Sequence, residues 1–193
     1  MQNLFYLFDQ IERLNRPLRN YILSCLKRVE FPKKHIFLRE GSIPRYIYFI
    51  ESGLIRAYEL VNDKEKTMYF MRENDLLVSV GAFFSQRPAT ETMETLEPCV
   101  CWRISYRQLQ DAYKKYRQFN LHRGVILERY YEYSERRNRM RLRSKAYKYE
   151  FLMAHEPWLL ERVPSDYLAS YLGISLRAFK SHKKQLLRGE YKG

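Results

Sequence analysis

Glycine is scarce, at 7 of 193 residues, and no glycine-rich loop offers the run of backbone N–H groups that cradles a nucleotide phosphate. Cysteine is scarcer. Cys25, Cys99 and Cys101 are odd in number. Their spacing suggests no disulfide framework, and it fits neither a zinc site nor an iron–sulfur cluster, which takes about four thiolates. The four histidines, His35, His122, His155 and His182, are scattered without ligand spacing. Nor does any apolar run approach the ~20 residues of a membrane span. The N-terminal stretch has no basic leader and meets Asp9 and Glu12 before an apolar run can form, so it does not read as a signal peptide. No metal or cofactor is called for, no membrane partner is expected, and a reducing cytoplasm suits the free thiols.

Acid is also in deficit, and the deficit is uneven. The chain carries 35 Lys and Arg against 22 Asp and Glu, a formal net charge of +13. From Arg136 to Gly193 there are 14 cations against 5 acids, whereas residues 1–135 carry 21 against 17. The basic character therefore belongs to the last third. An anionic partner there is the natural inference, and nucleic acid is the first candidate. With 46% hydrophobic and 30% charged residues, the composition is otherwise that of a globular chain.

The basic third contains Val163-Pro-Ser-Asp-Tyr-Leu-Ala-Ser-Tyr-Leu-Gly-Ile-Ser175 followed by Leu176-Arg-Ala-Phe-Lys-Ser-His-Lys-Lys-Gln-Leu-Leu187, which reads as a helix-turn-helix. Ser165 can cap the first helix, with Asp166 just inside where the helix dipole favours an acid. Gly173 ends that helix in the left-handed conformation that costs glycine little. Ser175 can cap the second helix. Leu168 and Leu172 share a face of the first helix, small Ala169 lets the second cross closely, and Ile174, Phe179 and Leu186 can close the core. Outward on the second helix lie Arg177, Lys180, Ser181, Lys184 and Arg188, a stripe of cations and hydrogen-bonding groups that fits a DNA major groove.

Taken in order, the chain begins with a helical lead-in over 3–29, broken near Pro17. From Glu30 short apolar or alternating runs follow: His35–Leu38, Arg45–Ile50, Leu54–Tyr58, Lys66–Met71 and Cys99–Ile104, separated by turn residues such as Ser52-Gly53 and Asn62-Asp63. Strands this short and this regularly spaced predict an antiparallel barrel or sandwich. After Ser105 the chain turns helical. From about Gln118 to Arg141, Ile126, Tyr130, Tyr133, Arg137 and Met140 follow the four-three alternation of a coiled-coil seam, which makes Ile126, Tyr130, Tyr133 and Met140 the expected dimer contacts. Residues 141–145 read as a hinge before a helix from Ala146 to about His155.

This order of parts resembles the Crp/Fnr family of bacterial transcription regulators over essentially the whole chain. The residues that carry the resemblance are Tyr48-Phe-Ile-Glu-Ser-Gly-Leu-Ile-Arg56, similar to the family's hairpin around Gly53, and Val163–Ser175, similar to its DNA-binding entry. The implied fold is α+β: an N-terminal antiparallel jelly-roll barrel of the cyclic-nucleotide-binding type over 1–117, a long dimerisation helix over 118–141, and a winged-helix-type helix-turn-helix over 142–193. The implied activity is binding of a near-palindromic duplex by a homodimer, with recognition helices about one DNA turn apart, roughly 34 Å. RNA polymerase and an unidentified small-molecule effector are the further partners of such a regulator. By position in the family, Arg177, Lys180 and Ser181 would face bases, Lys183, Lys184 and Arg188 would hold phosphate, and Ser175 would stand at the start of the recognition helix. The chain has Leu176-Arg177 and Ser181 where many members place Arg-Glu and Arg, so their operator sequence does not carry over.

The effector pocket departs further. Where cyclic-nucleotide-binding members place a Gly-Glu pair for the ribose and Arg-Ser-Ala for the phosphate, this chain has Val78-Ser79 and Pro88-Ala89-Thr90, with Arg87 one residue from the phosphate position. One residue in a strand reverses the face. Without these charge-assisted hydrogen bonds, worth about 1.5–3 kcal/mol each, cyclic AMP is not expected to bind. An enzyme is not expected either, for want of a nucleophile motif or metal cluster. The competing reading is a ligand-binding or scaffold protein whose helix-turn-helix contacts protein or nucleic acid without sequence preference.

Overall fold

The computed structural model describes the backbone of residues 1–187 and the side chains of residues 1–183. The lead-in is two helices, α1 (Gln2–Asp9) and α2 (Arg16–Cys25). The break falls at residues 10–15 rather than at Pro17. The Asn15 side chain accepts from the Leu18 N–H at 3.0 Å and caps α2, while Pro17 sits in the first turn, where a missing N–H costs nothing.

Then come β1 (Lys27–Phe31), β2 (Ile36–Leu38), β3 (Tyr46–Ser52), β4 (Ile55–Val61), β5 (Lys64–Met71), β6 (Leu76–Leu77), the short helix α3 (Val80–Ser85), β7 (Thr92–Thr95) and β8 (Cys99–Ser105). They form two four-stranded sheets, ordered β1-β8-β3-β6 and β2-β7-β4-β5. Of the barrel or sandwich expected from the strand pattern, the structure is the two-sheet form, a jelly roll and not a closed barrel. The ladders β1–β8, β8–β3, β3–β6, β2–β7 and β7–β4 are antiparallel. Asn62 and Asp63, with φ of 51° and 59°, make the two-residue turn between β4 and β5.

The two faces of the first sheet have different tasks. Ile47 and Phe49 of β3, paired with Ile104 and Trp102 of β8, pack on the helices through Phe5, Phe8, Leu18, Ile22 and Leu109. By the two-residue period, Tyr46, Tyr48 and Ile50, with Arg103 and Cys101 opposite, face the other way, toward the second sheet. Gly53 is required where β3 gives way to β4: its φ is +110°, and a Cβ there would lie 2.4 Å from Cys99 Sγ and 2.8 Å from the Pro98 carbonyl oxygen.

Ser105 and Gln108 form a reciprocal capping box at the start of α4 (Tyr106–Lys115). The helix α5 (Arg117–Arg141) has 25 residues, a length of about 37 Å. Residues 142–144 are the turn expected as a hinge, and the Ser144 side chain caps α6 (Lys145–His155) by accepting from the Tyr147 N–H at 3.3 Å. The chain ends in α7 (Leu159–Arg162), α8 (Ser165–Leu172) and α9 (Leu176–Leu187). No strand follows α9 among the described residues, so they include no wing of the kind the winged-helix-type expectation implies.

Two compact units result: Met1–Glu59 with Tyr69–Glu128, and Leu60–Met68 with the chain from Arg129 onward. The core of the second is built from Tyr149, Leu152, Leu159, Leu168, Ala169, Leu172 and Phe179, each no more than 3% exposed. In the same unit Ser170 Oγ accepts from the Thr67 N–H at 2.9 Å and donates to the Glu65 carbonyl at 3.2 Å. No helix among the described residues is long and apolar enough to cross a membrane.

Candidate nucleic-acid interface and effector cavity

The turn between α8 and α9 forms for local reasons. Gly173 takes φ +63°, and its N–H reaches back to the Ser170 carbonyl at 3.1 Å while the Ile174 N–H reaches that of Ala169 at 3.0 Å. Ser175 Oγ then accepts from the Ala178 N–H at 3.2 Å and caps α9 as expected. Ser165 does not cap α8. The cap position is Pro164, and Ser165 Oγ instead accepts from Lys183 Nζ at 3.1 Å, 18 residues on. Buried Phe179 and the Tyr149 hydroxyl, which donates to the Ala178 carbonyl at 3.1 Å, fix the inner face of α9.

The outer face of α9 carries Arg177, Lys180 and Ser181, all exposed, with exposed Ser175 before it. Arg177 and Lys180 pair with no carboxylate among the described residues. Ser181 Oγ donates back to the Ala178 carbonyl at 2.8 Å. Lys183 is half-buried against Ser165 and stands apart from the exposed row. The Lys184 side chain and all of Arg188 lie outside the described residues, as does the Leu186 side chain.

The four-three positions of α5 turn toward their own chain. Ile126 packs on the core of the first unit. In the second unit Met140 is fully buried, and half-buried Tyr133 donates a hydrogen bond to Glu156 beneath the Arg137 guanidinium, which lies 4.5 Å from the Tyr133 ring centre. Tyr130 is half-buried. The positions of α5 that face outward at the same spacing are Leu121, Gly124, Glu128, Tyr131 and Glu135, with Leu121 50% and Tyr131 64% exposed.

The residues expected at the effector pocket do not converge. Ser79 is buried at the start of α3, Arg87 is exposed, and Thr90 is exposed and donates to Glu59 at 3.3 Å. Ala89 is 3% exposed; its N–H donates to the Ser42 carbonyl at 2.9 Å and its carbonyl accepts from the Gly41 N–H at 2.8 Å. The backbone groups of Ala89 are thus already occupied at the phosphate position, and no guanidinium extends from it.

A cavity of about 310 Å³ nevertheless opens between the sheets, and of the five expected residues it includes Val78. Its walls are Tyr46 and Tyr48 from one sheet and Ile36, Leu38 and Met93 from the other. Its rim is the β2–β3 loop with Arg39 and Arg45. Sequence reasoning passed over that loop because its pattern of Gly41, Ser42 and Pro44 reads as a simple connection. Burial pushes the Tyr48 hydroxyl above its ordinary range, against the opposing effect of a hydrogen bond from Arg103. Burial likewise raises the Cys101 thiol to about 12, an unreactive sulfur rather than a redox centre. Among the described residues no cluster of His, Cys, Asp and Glu could hold a metal ion.

Residues 28–116 match the family model of the cyclic nucleotide-binding domain. The structure resembles FixK2 from Bradyrhizobium japonicum, with a TM-score of 0.71 at 16% identity over 87% of this chain and 89% of that one. A putative Crp/Fnr-family transcriptional regulator from Eubacterium rectale also gives 0.71 at 16% identity, over 99% and 91% of the two chains. CLP of Xanthomonas campestris, described as a c-di-GMP responsive global regulator, gives 0.65 at 17% identity over 93% and 96%. No curated protein matches the sequence. At these identities the likeness establishes the fold: a cyclic-nucleotide-binding-type jelly roll followed by a long helix and C-terminal helices.

Proposed function

We propose that this protein is a cytoplasmic, sequence-specific transcription regulator of the Crp/Fnr type, which binds a near-palindromic DNA site as a homodimer and is not an enzyme. The observation that carries this reading is the exposed row Arg177, Lys180 and Ser181 on α9, set out by the Gly173 turn. Helices of this kind place guanidinium and ammonium groups against guanine edges and phosphates. The fold shared with Crp/Fnr regulators supports the reading, and RNA polymerase is the protein partner such a regulator meets.

Dimerisation is assigned to α5, through the outward face that holds Leu121 and Tyr131. The inward seam residues Tyr133 and Met140 already have partners in their own chain. Cyclic AMP is not the effector, because Val78-Ser79 offers no carboxylate for the ribose and Ala89 no cation for the phosphate.

Titration of a fluorescent mixed-sequence duplex and of its single strand, at several salt concentrations, tests the reading. Duplex affinity that falls steeply as salt rises, with weaker single-strand binding, supports it. Equal binding of both strand forms, or salt-insensitive binding, would favour a scaffold with loose contacts.

A further inference from the structure

We infer that the cavity between the two sheets is a binding site for a small organic acid, with a carboxylate held at the rim by Arg39 and Arg45 and an apolar body of one ring or one short chain inside. The cavity's volume of about 310 Å³ lies at the small end of the range for ligand sites, about 300–1,000 Å³. Its floor is apolar, with Leu77 1% and Met93 2% exposed. No acid lines it.

The rim is built to last. The Gly41 N–H and the Ser42 carbonyl clasp Ala89 at 2.8 and 2.9 Å, which anchors the loop that carries both arginines. Arg39 and Arg45 are exposed there, and neither meets a carboxylate among the described residues. The loop's own acid, Glu40, is exposed and does not line the cavity. Two unneutralised guanidinium groups at the mouth of an apolar cavity attract an anion whose remainder prefers to leave water.

A third cation stands behind the wall. The Arg103 guanidinium lies 4.4 Å from the Tyr46 ring centre, and its Nε–H is buried without an acceptor among the described residues. Tyr46 and Tyr48, which line the cavity, each carry a hydroxyl able to donate. Cations and donors with no acid among them suit a monoanion. Ala89, at the family's phosphate position, is buried, does not line the cavity and has both backbone groups occupied, so nothing there asks the ligand for a phosphate.

Acid binding stands on the cavity alone; only its consequence for DNA rests on the regulator reading. Calorimetry and thermal melting of the full chain with phenylacetate, octanoate, 2-phenylethanol, octanol, phenyl phosphate and cyclic AMP test it. The two acids should bind and raise the melting temperature, and the alcohols should bind at least about tenfold more weakly. An Arg39→Ala/Arg45→Ala variant, both positions being exposed, should keep the wild-type circular dichroism, lose about tenfold or more in acid affinity and leave alcohol affinity unchanged. Val78→Trp, which fills the cavity, should abolish both. Failure of both acids at millimolar concentration, acid affinity indifferent to the arginine substitutions, or tighter binding of phenyl phosphate or cyclic AMP would overturn the proposal. DNA binding read on the same samples separates the claims: its absence in every state counts against the regulator, and acid binding without a change in DNA affinity leaves the site standing.

Discussion

The Tyr171 hydroxyl donates to the Glu156 carboxylate at 2.7 Å, 15 residues away, where Tyr171 is 1% and Glu156 3% exposed. The other oxygen of the same carboxylate accepts from Tyr133 on α5. One buried acid therefore joins the end of the long helix, the C-cap of α6 and the first helix of the helix-turn-helix. A buried carboxylate with two hydroxyl donors is satisfied, and removing it takes an acceptor away from both. Glu156→Ala should cost about 3 kcal/mol and Glu156→Gln less, about 1–2 kcal/mol, in urea denaturation. A cost under a few tenths would show that these bonds do not hold the unit together.

Alkaline pH should loosen the fold through its buried hydroxyl and thiol groups. Burial raises Tyr113 and Tyr21 to about 12 and Cys101 to about 12. In the unfolded chain these groups lose protons near their ordinary values, about 8.5 for the thiol and about 10 for tyrosine. The folded state keeps protons that the unfolded state has released, so stability is complete below those values and falls as pH rises from about 9 toward 12. Tyr113→Phe should make that decline shallower while leaving the neutral-pH plateau nearly level.

Gly53→Ala should destabilise the jelly roll by about 2–4 kcal/mol, since the new methyl group would be driven into Cys99 Sγ and the Pro98 carbonyl on a backbone with positive φ. Thermal melting reads this directly. Gly41 has a positive φ of +79° but open space around it, so Gly41→Ala should cost only the conformational part, about 1 kcal/mol.

The two sides of α5 should behave oppositely. Leu121→Glu and Tyr131→Glu, at exposed positions, should leave the fold intact and shift dimer to monomer in sedimentation equilibrium. Met140→Ala, at a fully buried position, should cost about 2–5 kcal/mol of stability. Monomerisation by Met140→Ala with unchanged stability would restore the inward seam as the dimer contact.

Lys180 and Lys183 are likewise separable. Lys180→Ala should lower duplex affinity across sequences and reduce the salt slope by about one. Lys183→Ala removes the bond to Ser165 and should act on stability by about 0.5–1 kcal/mol with the salt slope unchanged.

Where the sequence was readable, the reason was local chemistry. Gly173, Ser175 and the spacing of Leu168, Ala169, Leu172 and Phe179 specify a turn and a small core within about 12 residues, and the structure reproduces them. The strands β3, β4 and β5 were legible from apolar runs between turn residues. β1 was not, because Lys27, Arg28 and Glu30 obscure its alternation, and β7 was hidden by Glu94, a charge held in place by a 2.9 Å bond from Arg56 on the neighbouring strand. α3 has Val80, Phe83 and Phe84 in six residues and carries no side-chain cap to mark its start. The four-three pattern on α5 was real, but periodicity says which residues share a face and not what covers it. The cavity was the least legible feature of all, since its walls come from strands far apart in the chain.

Sequence-specific recognition of DNA by α9 is best tested by selection from a randomised duplex pool at near-physiological salt, without added ligand and again with phenylacetate present. The expected result is enrichment of a two-fold symmetric motif with half-sites about one helical turn apart. Arg177→Ala should relax preference within each half-site, at a cost of about 1–3 kcal/mol in discrimination. A pool that stays random under both conditions, or an enriched motif that Arg177→Ala leaves unchanged, would contradict it.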